Sequence, residues 1–358
     1  MPALVRIVYH SFEGHFSDSP RALFGALRER LPGADHVWLV DEARRGDFPI
    51  DVAAVPWGTA DCIRALESAD LIVANSHTDL PWKKRDGATY LQTWHGTPLK
   101  RIHRDVLWAP EGRLDRLDRD IAQWDVLVSP NRVSTPRLRR AFRYDGEVIE
   151  TGYPRNDVLV GSRRDAIRDR VRRDLGILDD RTVVLYAPTW RDDAVFDEGG
   201  KDFALEIDTA AFEERLGTDH VLLLRLHYML TGRIAAMDSP SVRDVSGHPD
   251  VSELYLAADV LVTDYSSTMF DFAVTAKPQL FFTYDLADYG DRLRGFYFDF
   301  APIAPGPLLR TNADLLAALA DLPRVTADHA ERYAAFRETF CQLEDGHATD
   351  RVVARLLG

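Results

Sequence analysis

Cysteine is almost absent from this chain. Its two thiols, Cys62 and Cys341, stand far apart, so they build neither a disulfide framework nor a zinc site, and a reducing compartment is the default. No apolar run approaches the length of a membrane span. The first apolar stretch, Leu4-Val-Arg-Ile-Val-Tyr9, is short and has no cleavage site, so it reads as a strand rather than a leader. Positive charge is in deficit: 44 Lys and Arg against 57 Asp and Glu leave a formal net charge of −13. Wholesale nucleic-acid binding needs a net basic face and is excluded on that ground. An anionic substrate has to be met by a local cluster working against the global charge. Internal repeats and low-complexity segments are lacking too.

What is present is an ordinary globular balance, 46% hydrophobic and 28% charged over 358 residues, enough for two cores. Short apolar runs alternate with helical patterns, which predicts a parallel α/β architecture. Strands are expected at 4–9, 36–40, 70–74, 89–93, 125–128 and 147–150, then at 182–187, 220–226, 241–245, 259–263 and 279–283. The turn-rich Gly152-Tyr-Pro-Arg-Asn-Asp157 sets the expected boundary between a domain at 1–158 and another at 159–335, with closing helices in 336–358. Two doubly wound domains would take ligands in a cleft at the carboxyl ends of their strands.

The second half is organised around residues 259–277. Val260-Leu-Val262 reads as a buried parallel strand, and Ser266, Ser267 and Thr268 offer hydroxyls at the start of a helix. Unpaired N–H groups and the positive end of a helix dipole favour phosphate there; an ordinary capped helix has the same sequence. Asp271, four residues beyond Ser267, falls in the first helical turns, to align a hydroxyl or base or simply to favour the dipole. Thr189 and Arg191 follow the strand Val183–Tyr186; a guanidinium matches phosphate oxygens in pairs, or pairs with Asp192 or Asp193. Arg225 and His227 end a third strand at i, i+2 and share one side of it.

In the first half, Thr93-Trp-His-Gly-Thr-Pro-Leu-Lys100 follows a strand, and His95 sits where an imidazole can take a proton at neutral pH or settle into a backbone hydrogen bond. His103 beside Lys100, Arg101 and Arg104 reads as a basic rim or as a solvated face.

Leu91–Lys100, Gly152–Asp157, Tyr186-Ala-Pro-Thr-Trp-Arg-Asp192, Thr263-Asp-Tyr-Ser-Ser267 and Leu293-Arg-Gly-Phe-Tyr297 occur in one order, flanked by Ser11-Phe-Glu-Gly14 and Ser17-Asp-Ser-Pro-Arg21. The series resembles the CDP-glycerol glycerophosphotransferase family, which builds teichoic-acid-like polyol-phosphate polymers. The resemblance implies a GT-B fold of two Rossmann-like domains, an acceptor-side first and a CDP-donor-binding second, with neither metal nor cofactor. It implies transfer of glycerol phosphate from CDP-glycerol to a hydroxyl of a lipid-linked or polymer acceptor, with release of CMP. It places the protein in the cytoplasm, peripheral on the inner face of the cell membrane.

Carried over by motif, His95 and His227 would be the catalytic histidines, with His95 the general base. Arg225, Ser266, Ser267 and Asp271 would surround the donor phosphates, supported by Arg191 and Thr189. CDP-ribitol is the alternative donor, and a GT-B sugar-nucleotide glycosyltransferase or a catalytically inert binding subunit are the rivals outside the family. Large polymerases of the family carry an extra N-terminal region. This chain starts at the first strand, so it is expected to be a compact primase-like or short-chain member, or a shortened piece of a longer chain.

Overall fold

The computed structural model describes residues 5–189, 205–226, 239–286 and 295–358. The chain divides into two compact units. Met1–Thr97, Ile102–Gly161 and Gln342–Gly358 form the first; Pro98–Arg101 and Ser162–Cys341 form the second.

The first unit carries strands β1 (Arg6–His10), β2 (Asp35–Val40), β3 (Ala53–Pro56), β4 (Leu71–Ala74), β5 (Thr89–Gln92), β6 (Val126–Ser129) and β7 (Glu147–Glu150). They pair in parallel in the order β3-β2-β1-β4-β5-β6-β7. Every residue of β4 and β6 is buried, as expected of a parallel sheet covered on both faces. Alternate side chains feed two cores. Tyr9, Val73 and Leu91 pack with Leu23 and Leu27 of α1 (Asp18–Arg30). Val8, Ile72 and Tyr90 pack on the other face with α2 (Ala60–Ser68), α3 (Arg113–Ile121) and α4 (Thr135–Phe142). Strand order reverses between β1 and β4, the place where doubly wound sheets generally take ligands.

The segment Gly152–Asp157 packs within the first unit, leading into the short α5 (Asp157–Val160). Gly152 has φ +77°, and a Cβ there would lie 2.6 Å from the Leu343 carbonyl oxygen, so glycine is required.

The second unit repeats the pattern with β8 (Thr182–Tyr186), β9 (His220–Leu224), β10 (Val242–Asp244), β11 (Val260–Thr263), β12 (Gln279–Phe282) and β13 (Leu308–Leu309). Their order is β10-β9-β8-β11-β12-β13, again all parallel. Its helices are α6 (Arg164–Asp174), α7 (Thr209–Leu216), α8 (Val251–Ala257), α9 (Thr268–Ala273), α10 (Asn312–Ala320) and α11 (Leu322–Phe340). The last helix, α12 (Ala348–Leu357), belongs to the first unit. Among the described residues no helix is long and apolar enough to cross a membrane.

Candidate active site

In the first unit the polar residues gather where β1, β4 and β5 end. Asn75, directly after β4, is fully buried and acts as a hub. Its backbone oxygen accepts a hydrogen bond from His95 Nδ1 at 2.5 Å, its Oδ1 accepts from Phe12 N at 3.1 Å, and its Nδ2 donates to Ser11 Oγ at 3.1 Å. With Nδ1 carrying the proton, Nε2 is the acceptor nitrogen of the neutral ring.

Trp94 precedes the histidine at φ +54°, held there by its N–H on Gln92 Oε1 at 2.8 Å. The His95 ring lies against Trp94 (centroids 4.1 Å) and Phe12 (5.2 Å). Desolvation among these groups pulls its pKa down to about 4, against the Asn75 carbonyl and Asp18, which push it up, while Arg155 and His77 push it further down. The imidazole is therefore neutral and able to accept a proton across the physiological range.

The loop of residues 11–17 is tied to the segment that holds this imidazole through Asn75. Gly14 has φ +118°, its oxygen accepts from Asp41 N at 3.0 Å, and a Cβ there would lie 2.0 Å from that nitrogen. Ser11 Oγ meets Ser17 Oγ at 3.2 Å at the start of α1. Asp18 follows and takes Arg155 Nη1 on both oxygens, at 3.2 and 3.0 Å.

The second unit gathers its candidates at the same end of its sheet. Thr189 follows β8, Arg225 follows β9, and Ser266 and Ser267 follow β11, three strands that adjoin in the order β9-β8-β11. Asp264, buried at the end of β11, accepts from Thr189 N at 2.8 Å and Tyr265 N at 2.5 Å, so it ties the two loops across the reversal of strand order. Ser266 Oγ donates to Thr268 Oγ1 at 2.9 Å, and the half-buried Ser267 makes no side-chain cap. Asp271 is buried within α9. Arg225 Nη1 donates to the carbonyls of Val245 (3.0 Å), Ser246 (2.5 Å) and His248 (2.6 Å), so one arm of this guanidinium holds the turn that precedes α8. Arg191 and His227 lie outside the described residues, as does Arg294.

Lys100, Arg101, His103 and Arg104 do not form one basic rim. His103 is buried with Nδ1 3.1 Å from the Ala141 oxygen, Arg104 is neutralised by Asp115 and Asp118, and Lys100 and Arg101 belong to the second unit. Sequence reasoning passed over Asn75, Asp18, Arg155 and Asp264. Three of them stand inside motifs already singled out, and Asn75 follows an expected strand, so position at a strand end was the available signal.

A teichoic acid glycerol-phosphate transferase from Staphylococcus aureus is 39% identical over 358 residues, covering 97% of this chain and 91% of that protein. A teichoic acid poly(glycerol phosphate) polymerase from Staphylococcus epidermidis is 38% identical, and the match covers 97% of this chain but 49% of that longer protein. A poly(ribitol-phosphate) polymerase from Bacillus spizizenii is more distant, 29% identical over 77% of this chain.

Among solved structures, the wall teichoic acid polymerase TagF, crystallised as a histidine variant soaked with CDPG, superposes with a TM-score of 0.89 at 37% identity, covering 97% of this chain and 87% of that one. The fold, two doubly wound parallel sheets, is of the expected GT-B type. The family model of CDP-glycerol:poly(glycerophosphate) glycerophosphotransferases matches residues 4–358, and the chain belongs to that family.

Proposed function

We propose that this chain transfers glycerol phosphate from CDP-glycerol to a hydroxyl of a lipid-linked or polyol-phosphate acceptor, with His95 as the general base. The observation that carries the reading is the fixed tautomer of a neutral imidazole at a strand end: Nδ1 is committed to the Asn75 carbonyl, which leaves Nε2 to take the acceptor proton. The acceptor oxygen attacks the β-phosphorus in line. A P–O bond to the acceptor forms, the P–O bond to CMP breaks, and CMP leaves with the electron pair.

In this reading the second unit supplies the donor-phosphate groups. Ser266, Ser267 and Thr189 offer donors at adjoining strand ends, Asp271 lies in the helix that follows them, and Arg225 supports the neighbouring turn, with Arg191 and His227 carried over by motif. Donors aimed at the developing charge are the main resource of such chemistry. A lipid-linked acceptor puts the work at the cytoplasmic membrane surface. Glycerol is the favoured polyol because the glycerol-phosphate relatives are more similar to the chain than the ribitol-phosphate one.

The test is to incubate the protein with CDP-glycerol, CDP-ribitol and a lipid-linked disaccharide, and to mass the lipid product, which gives both the polyol and the number of units added. His95→Ala is expected to lose about 10²–10⁴-fold in CMP release while still binding CDP-glycerol in calorimetry. Normal turnover by that variant removes His95 from the mechanism, and release of a nucleoside diphosphate from a sugar nucleotide favours the glycosyltransferase rival.

A further inference from the structure

Asp18 and Arg155 form an ion pair that the fold alone does not call for. Their side chains are 9% and 4% exposed, and Arg155 also lies over the Tyr153 ring, 4.2 Å from its centroid. A buried pair of this kind adds little stability compared with apolar residues of the same shape. Asp18 in addition holds φ +62°, a left-handed conformation uncommon for residues other than glycine, asparagine and aspartate. Strain and buried charge kept together beside a catalytic base point to a use there.

The loop that leads into Asp18 is tied to the segment that holds His95. From the imidazole, Nδ1 meets Asn75 O, Asn75 Nδ2 meets Ser11 Oγ, and Ser11 Oγ meets Ser17 Oγ, one residue before Asp18. Among the described residues, three charged or titratable groups act on the ring: Asp18 from α1, Arg155 from the turn before α5, and His77 after β4. His77 has its own carboxylate behind it, Asp120 at 3.4 Å. Asn75 O, Phe12 and Trp94, which touch the ring, are uncharged.

We propose that Asp18, clamped by Arg155, is a positioning residue for the base: its fixed carboxylate stabilises the imidazolium that forms when His95 takes the acceptor proton, and Arg155 sets how strongly it does so. The usual partner of a catalytic histidine is a carboxylate on Nδ1. Here Nδ1 faces a carbonyl oxygen instead, and the negative charge comes from Asp18 through space. The proposal rests on His95 being the base.

The experiment is a double-mutant cycle on the full chain. The titration of the His95 ring is followed by NMR of ring-labelled histidine, its signal assigned by loss in His95→Asn. Arg155→Met should raise the midpoint by about one pH unit, and Asp18→Asn added to it should cancel that rise. The double variant carries no unpaired buried charge, so it is the corner expected to fold best. Asp18→Asn alone should lower kcat up to about tenfold, by the Brønsted behaviour of a weakened base, with KM for the acceptor unchanged. A midpoint that rises with Arg155→Met and stays high in the double variant reports a loosened, hydrated ring and overturns the proposal, as does one that moves in neither. Full turnover by His95→Ala would sink the base assignment instead, whatever the cycle shows.

Discussion

At the scale of single residues, the base proposed here, His95, sets the pH behaviour expected of the reaction. An imidazole whose pKa is held at about 4 stays unprotonated in the free enzyme well below the ordinary value near 6.5. The acid limb of kcat/KM, which reports the free enzyme, is therefore expected near pH 4. If CDP-glycerol binds as proposed, its pyrophosphate favours the imidazolium, and the acid limb of kcat should lie at higher pH than that of kcat/KM. Profiles of CMP release from pH 4 to 8 check this; coincident limbs near pH 6.5 would contradict it. His95 was legible because a histidine follows an apolar strand and precedes Gly96. What holds it was not. Asn75 stands 20 positions earlier in the chain, and its hydrogen bond with His95 comes from tertiary approach that no local pattern encodes.

At the scale of elements, the stretch 259–277 shows how far local pattern reaches. Its strand and the helix after it are where the sequence puts them, but the lysine that closes it serves another element. Lys277 Nζ donates to the carbonyls of Tyr255 (3.1 Å), Leu256 (2.8 Å) and Ala258 (2.5 Å), the C-terminal end of α8. Replacing it with methionine keeps the stem and strands those acceptors, at a cost of about 1–3 kcal/mol, measured as a lower urea midpoint at pH 7.

Burial lowers the lysine's pKa from 10.5 to about 8. Between those values the unfolded chain still binds the proton that the folded chain has shed, so stability rises with pH over that window. The gap between wild type and Lys277→Met should accordingly widen from pH 8 to 10.5, and a constant gap would place the ammonium outside the carbonyl ring. Strands β3 and β13 escape sequence reading because neither carries a buried apolar run: no residue of β3 is fully buried, and β13 is two half-buried residues long.

At the scale of the molecule, the alternation of strands and helices announces two parallel sheets, but not that the end of the chain returns to the first. Residues Gln342–Gly358 join it after the whole second unit has been laid down. Asp157 caps α12 from a distance, accepting from Ala348 N at 3.0 Å and Thr349 N at 2.7 Å, while Arg351 donates to Thr151 O at 3.0 Å. Val352 and Val353 enter the Tyr9–Trp38 core with no exposed surface, and burying two valines is worth about 3–6 kcal/mol.

Removal of residues 342–358 should therefore unfold the first unit in preference to the second. Six of the seven tryptophans lie in the first unit and Trp190 alone in the second, so tryptophan fluorescence follows one unit and far-ultraviolet dichroism follows both. The shortened chain should show a red-shifted, unfolded-like emission while it keeps a large part of its helical signal and a cooperative melt. Native emission with an unchanged urea midpoint would mean that the returning helix rests on a first unit already able to stand by itself.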